Sequence, residues 1–350
     1  MTAEPILPPI TCPSSLVASC APLLGFVPAR SLVAFIHGVP GRVSPVIMRV
    51  DLPPHGPTAV AAAQTALSID GTGGVAVDWV AWVEDQDSTR RDGVSSAGFL
   101  HELQQALDLV GIEVGGNLST NGRMWWSHTC NQPQCCPVQG TPLDTRIMNA
   151  VHAEYVYAGY APLQRREQLA ARITRDEDRV RGAQAVLTRL HIARSTQRWR
   201  DAQVRFLTGL LLPRNSCGAP VIPMTPNRTA RMVRALDDIR VRDVVLHRLV
   251  VRGHHCDRCW EGTIEVLCDA LRAMPQGTSA PSATILALVS WMRGEGALAT
   301  ICIQRALEED PDYRLGRLAS GLIAQGTDPR VWRASLAGLS ESECRNAGRR

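Results

Sequence analysis

Before residue 142 the apolar positions come in short runs and alternations, and after it they recur at helical spacing. The run Ser-Leu-Val-Ala-Phe-Ile-His over 31–37 reads as a strand, because β-branched and aromatic residues fill it. Residues 38–41, with Gly38, Pro40 and Gly41, read as a turn. A second strand over 45–50 ends at Asp51-Leu52-Pro53, so a hairpin is the economical arrangement. The alanine-rich stretch 58–69 is helical and 74–83 is a third strand. Phe99, Leu103, Ala106, Leu107 and Val110 share one face of a helix over 95–110. Residues 112–118 and 123–126 form two short strands that turn at Asn121-Gly122. Strands separated by helices of this length predict an α/β layer with a mixed sheet.

Beyond 142, helical windows at 144–157, 163–173, 176–211 and 227–250 follow one another, and strand signals disappear. Pro- and Gly-punctuated linkers fall at 213–226 and 275–281. The predicted organisation is an α/β N-terminal domain over 1–142 with a mixed sheet, then an all-α C-terminal domain over 143–350. Within the latter, 282–311 carries the punctuation of a tetratricopeptide-like helical hairpin. Ala299 and Ala306 stand seven apart, Gly294 and Gly296 make the turn, and Trp291 sits at the seam. Pro311 ends the second helix before a third begins at 313. A single unit of this kind needs neighbours to bury both faces, so a peptide-binding array and plain helical packing both stay open.

Composition narrows the chemistry. The chain has 350 residues and is 45% hydrophobic, enough for a sizeable core without disulfides. All 37 basic residues are arginine. Without a lysine amine, Schiff-base catalysis, pyridoxal-phosphate anchoring and a P-loop phosphate grip are excluded. The net charge of +4 is not that of a polycation, so any nucleic-acid footprint must be local. No apolar run approaches the ~20 residues that span a bilayer, and the start lacks a leader pattern. An odd count of eleven cysteines then fits reduced thiols. A cytoplasmic protein without a membrane partner is expected.

Residues 123–140, Arg-Met-Trp-Trp-Ser-His-Thr-Cys-Asn-Gln-Pro-Gln-Cys-Cys-Pro-Val-Gln-Gly, hold three of the eleven cysteines and two of the eight tryptophans. Structural zinc needs four soft ligands in a tetrahedron, usually brought in as close pairs on turns. Cys130, Cys135 and Cys136 offer one such knuckle, with His128 beside it, although the spacing is not the usual C-x2-C and vicinal Cys135 and Cys136 rarely both ligate one ion without strain. Cys256-x2-Cys259, preceded by His254 and His255 and followed by Cys268, offers another. Were the two segments to meet, Cys130, Cys135 or Cys136, Cys256 and Cys259 would form a four-cysteine site between the domains. Packing thiols are the alternative, as is redox chemistry at Cys256 and Cys259 beside Arg252 and Arg258. No cofactor is expected unless these thiols gather a zinc ion.

Residues 165–205 carry eleven arginines against five acids. Guanidiniums grip phosphates and stack on bases, so Arg189, Arg194, Arg198, Trp199 and Arg200 form a candidate nucleic-acid face, with a solvated helix as the alternative. Asp243, in Arg-Val-Arg-Asp over 240–243, is expected to face an arginine in a buried ion pair between helix layers. Gly71-Thr-Gly-Gly74 precedes a strand rather than a helix and reads as a turn, not a phosphate cradle.

Leu23-Leu24-Gly25-Phe26-Val27-Pro28 running into Ser31-Leu32-Val33 opens a set of motifs. Asp51-Leu52-Pro53, Arg123-Met-Trp-Trp-Ser, Cys135-Cys136-Pro137 and Gly140-Thr141-Pro142 continue it. Together with Gly294-Glu295-Gly296-Ala297-Leu298-Ala299, Arg305-Ala306-Leu307 and Asp310-Pro311-Asp312-Tyr313, they resemble an uncharacterised actinobacterial family, domain of unknown function 4192. The resemblance spans nearly the whole chain. It implies an actinobacterial, cytoplasmic origin and carries no established activity, substrate or cofactor. The segment 254–259 lies outside the family pattern. The reading is an interaction or scaffold protein that binds a protein partner, without a catalytic constellation. A metal- or thiol-dependent protein using the cysteine loop and a nucleic-acid binder are the alternatives.

Overall fold

The computed structural model describes residues 8–42, 44–53, 58–83, 95–130, 132–158, 160–190, 196–212, 222–251 and 257–346. The chain divides into two compact units, Ala3–Arg166 with Ala324–Gly326 and Glu167–Ile323 with Thr327–Arg350. The first unit runs to Arg166, whereas the sequence places a boundary at 142.

In the first unit, α1 (Pro13–Leu24) precedes strands β1 (Ser31–His37) and β2 (Val46–Asp51), followed by α2 (Ala59–Asp70) and β3 (Ala76–Trp82). Then come α3 (Ser95–Val110), β4 (Glu113–Thr120), β5 (Met124–Ser127), β6 (Thr141–Pro142) and α4 (Thr145–Tyr157). The strands form one sheet in the order β2-β1-β3-β4-β5-β6. Only β3 and β4 pair in parallel, joined through α3, so the sheet is mixed as expected. Strand alternation sorts its two faces. Leu32, Ala34, Ile36, Val77, Trp79 and Ala81 meet α2 and α3 through Ala62, Ala66, Ile69, Phe99, Leu103 and Leu107. Val33, Phe35, Val80 and Leu118 face the other way, onto Leu16, Val17 and Cys20 of α1. Full burial of a side chain such as Phe35 stabilises the unit by roughly 2–3 kcal/mol. α4, expected in the helical part, instead packs on α1 through Val151, Tyr155 and Ala18.

The second unit is all helical: α5 (Arg166–Ala171), α6 (Glu177–Arg189), α7 (Gln197–Leu211), α8 (Pro226–Asp237), α9 (Ile239–Val251) and α10 (Asp257–Ala273). It continues with α11 (Ala280–Met292), α12 (Gly296–Glu309), α13 (Arg314–Ala324), α14 (Pro329–Ala337) and α15 (Glu341–Arg345). α11 is buried along nearly its whole length and correspondingly apolar on all sides. It pairs with α12 as the predicted hairpin, turning at Gly294, whose φ of +88° suits glycine. The window 176–211 breaks into two helices, because Thr196 accepts the Trp199 amide at 3.2 Å and starts α7. The window 227–250 breaks at Asp238, whose carboxylate accepts the Arg240 and Val241 amides at 3.0 and 3.4 Å. Of 163–173 only α5 is helical. Asp243 pairs with Arg242, its neighbour on the same helix, at 2.7 Å, which replaces the interlayer pair expected for it. No helix among the described residues is long and apolar enough to cross a membrane.

Candidate metal centre

β5 and β6 close the base of a loop over residues 128–140. Met124 pairs with Pro142 and Trp125 with Thr141 across that base. On the other side β5 leaves β4 through the expected Asn121-Gly122 turn. The Asn121 side-chain carbonyl accepts the Arg123 and Met124 amides at 2.9 and 2.8 Å, and Gly122 takes a φ of +84°. Trp126 donates its indole N–H to the Val138 carbonyl at 3.2 Å, tying the returning arm of the loop to the strand.

Backbone bonds then present the thiols. The Cys130 amide donates to the Ser127 hydroxyl at 3.0 Å. The Cys135 and Cys136 amides both donate to the Gln132 carbonyl, at 3.2 and 2.8 Å, in a tight turn. Three thiols therefore converge. Cys130 Sγ stands 3.1 Å from Cys135 Sγ, which stands 3.7 Å from Cys136 Sγ. All three sulfurs lie within 4.8 Å of one another, with Cys135 exposed and the flanking two half-buried. Burial, with the neighbouring Cys130 and Cys135 sulfurs, pushes the Cys136 thiol up to about 12. Three sulfurs this close cannot all carry charge unless a cation sits among them.

His128 is bound elsewhere, its Nε2 standing 2.5 Å from the Ser119 hydroxyl of β4. Cys256 lies outside the described residues, as does the side chain of Cys259, together with His254 and His255. Cys268 is buried, and burial pushes its thiol up to about 12, as it does at Cys20. These two are packing thiols. Among the described residues, Cys130, Cys135 and Cys136 are the one group of three or more metal-ligating side chains. Ser127, Gln132 and the Trp126–Val138 bond escape a reading of the sequence, because each acts through a backbone partner that no ligand pattern marks.

The arginine run lies in the helical unit. Arg189 and Arg198 are exposed and Trp199 is half-buried, while Arg194 lies outside the described residues. Arg200 pairs with Asp238 at 2.7 Å. Arg172 pairs with Glu265 and Arg179 with Asp269, each at 2.6 Å, and Arg175 pairs with Glu309. Much of the run therefore binds carboxylates of its own unit.

One family model matches residues 13–330 of the chain, and no curated protein and no solved structure matches it.

Proposed function

The chain belongs to that family, described as Domain of unknown function (DUF4192), and from this premise we propose that it is a metal-stabilised interaction protein. Cys130, Cys135 and Cys136 supply three of the four ligands of a thiophilic divalent cation, zinc in the first place, with water completing the tetrahedron and the cation fixing the loop at the end of the mixed sheet. The supporting observation is the convergence of three sulfurs within 4.8 Å. Tetrahedral Zn–S bonds of ~2.3 Å put sulfurs about 3.8 Å apart. The Cys135–Cys136 separation of 3.7 Å meets that without rearrangement. Thiolate ligands suit zinc or copper(I) better than magnesium or calcium, which prefer oxygen. Site and partner surface are distinct in this reading: the cation stiffens the loop, and the helical unit presents the contact face. Nucleic-acid binding has less support, since Arg172, Arg175, Arg179 and Arg200 are engaged by carboxylates.

Elemental analysis of the purified full-length chain tests the cation. About one zinc per chain is expected, lost in the Cys130→Ser, Cys135→Ser and Cys136→Ser variants. A metal-free chain that takes up no zinc, cobalt or copper on titration would overturn it.

A further inference from the structure

Cys130 and Cys135 stand closer to each other than either coordination or packing requires. Their sulfurs are 3.1 Å apart. A disulfide needs about 2.05 Å, so closure takes a shift of about 1 Å shared between two side chains. The backbone on both sides is fixed by the Cys130 amide on Ser127 and the Cys135 amide on Gln132, which keeps the pair facing. Cys136 is less well placed. It lies 3.7 Å from Cys135, and a bond between adjacent residues would close a strained small ring. Cys135 is also the exposed member of the trio, open to a small oxidant.

We infer that Cys130 and Cys135 form an oxidative modification site, in which a hydroperoxide closes them to a disulfide and so discharges the cation. Discharge rests on the metal reading above, whereas closure stands without it. The Cys135 sulfur attacks one oxygen of hydrogen peroxide, the O–O bond breaks, and a sulfenic acid and one water result. The Cys130 sulfur then attacks the sulfenic sulfur, the S–O bond breaks, and the S–S bond forms as the second water leaves. Two thiols give up two protons and two electrons, and one peroxide is reduced to two waters. From metal-bound thiolates the same steps release two hydroxides, which take solvent protons. Cys136 alone remains as a sulfur ligand, and one sulfur does not hold a divalent cation.

The full-length chain, zinc-loaded and metal-free, is treated with hydrogen peroxide. Remaining thiols are blocked with one alkylating reagent, and disulfides are then reduced and labelled with a second. Trypsin places all three cysteines on one peptide, 124–146, and fragmentation reads the label at each. The expected pattern puts the second label on Cys130 and Cys135 and the first on Cys136. In the loaded protein, about one equivalent of zinc appears on a chromogenic chelator in step with closure, and a dithiol reductant reverses both. Cys136→Ser keeps the closure and Cys130→Ser abolishes it. The second label on Cys136, links between chains, or sulfinic acid at Cys135 in place of a disulfide would overturn the site. Zinc retained on a chain already closed at Cys130 and Cys135 would overturn the discharge. If the protein takes up no zinc, the metal reading falls, and the label pattern of the metal-free chain alone decides the disulfide.

Discussion

The indole of Trp126 lies against Gly140, where a Cβ would come within 2.6 Å of the ring, while its N–H holds the Val138 carbonyl two residues earlier. Gly140 also takes a φ of +87°, which an L side chain adopts only under strain. Gly140→Ala therefore meets a steric and a conformational penalty together, about 1–3 kcal/mol. The cost falls on the loop that presents the thiols. Zinc affinity should drop by roughly one to two orders of magnitude at about 1.4 kcal/mol per decade, with little change in the helical unit. Competition against a chromogenic chelator measures this, and wild-type affinity in the variant would show that the clamp does not position the site.

The raised thiols set a direction for pH. Cys136 is pushed to about 12 by burial and its sulfur neighbours, and Cys20 to about 12 by burial, from an ordinary value of 9.0. A group whose folded pKa is raised contributes stability that is whole below the unfolded value and is lost as pH climbs through the folded one. The metal-free protein should lose stability between pH about 9 and about 12, seen as a falling urea midpoint. Metal binding runs the other way, since each thiol must shed its proton to coordinate. Zinc affinity should rise with pH from about 6 to about 9. An affinity flat across that range would mean that the thiols are not the ligands.

The sheet was legible in the sequence because its strands alternate cleanly between two buried faces. The runs at 31–37 and 74–83 hold Val33, Phe35 and Val80 on one side and Leu32, Ile36 and Trp79 on the other. α1 gave less signal, since Pro22 lies inside it and its buried face includes Ser14, Ser15 and Ser19. Helix breaks at Thr196 and Asp238 were hidden because apolar spacing runs on across them, and a single side-chain cap decides the break. Of the site, the three cysteines could be named, but their convergence depends on a turn around the Gln132 carbonyl, a backbone acceptor that residue types do not encode.

At the far end of the chain, Arg248 holds Glu341 through two bonds, Nε at 3.0 Å and Nη2 at 2.6 Å. Arg345 adds a third at 2.6 Å and itself reaches Asp201 at 2.5 Å. Hydrogen bonding from Arg248, above all, brings the Glu341 carboxyl down to about 2. A lowered carboxyl contributes stability above its ordinary value near 4.5, and that stability is lost as pH falls toward 2. The pair is partly solvated, so its worth after screening is on the order of 1 kcal/mol. The protection factors of the α15 amides, corrected for the intrinsic exchange rate at each pH, should fall at pH about 3, and Glu341→Gln should show the lowered protection already at neutral pH. Equal protection at both pH values in the wild type would refute the latch.

Arg305 carries the heavier load inside the helical unit. Its guanidinium donates to the Leu271 carbonyl at 2.8 Å, to the Ser279 hydroxyl at 3.2 Å and to the Ile173 carbonyl, and lies 3.6 Å from Glu309. Glu309, only 6% exposed, also accepts the Ser279 amide at 2.9 Å and hydroxyl at 2.6 Å. The cluster ties the turn before α6 and the ends of α10 and α12 to one point. Removing the guanidinium leaves the Leu271 and Ile173 carbonyls without that donor while Glu309 keeps Arg175, so Arg305→Ala should cost about 1–3 kcal/mol in urea unfolding. Arg305→Lys separates charge from geometry. An ammonium keeps the charge beside Glu309 but cannot spread donors to Ile173, Leu271 and Ser279 at once. Its stability should fall between wild type and Arg305→Ala. Full recovery with lysine would mean that charge alone matters there and that the fork of three acceptors contributes nothing.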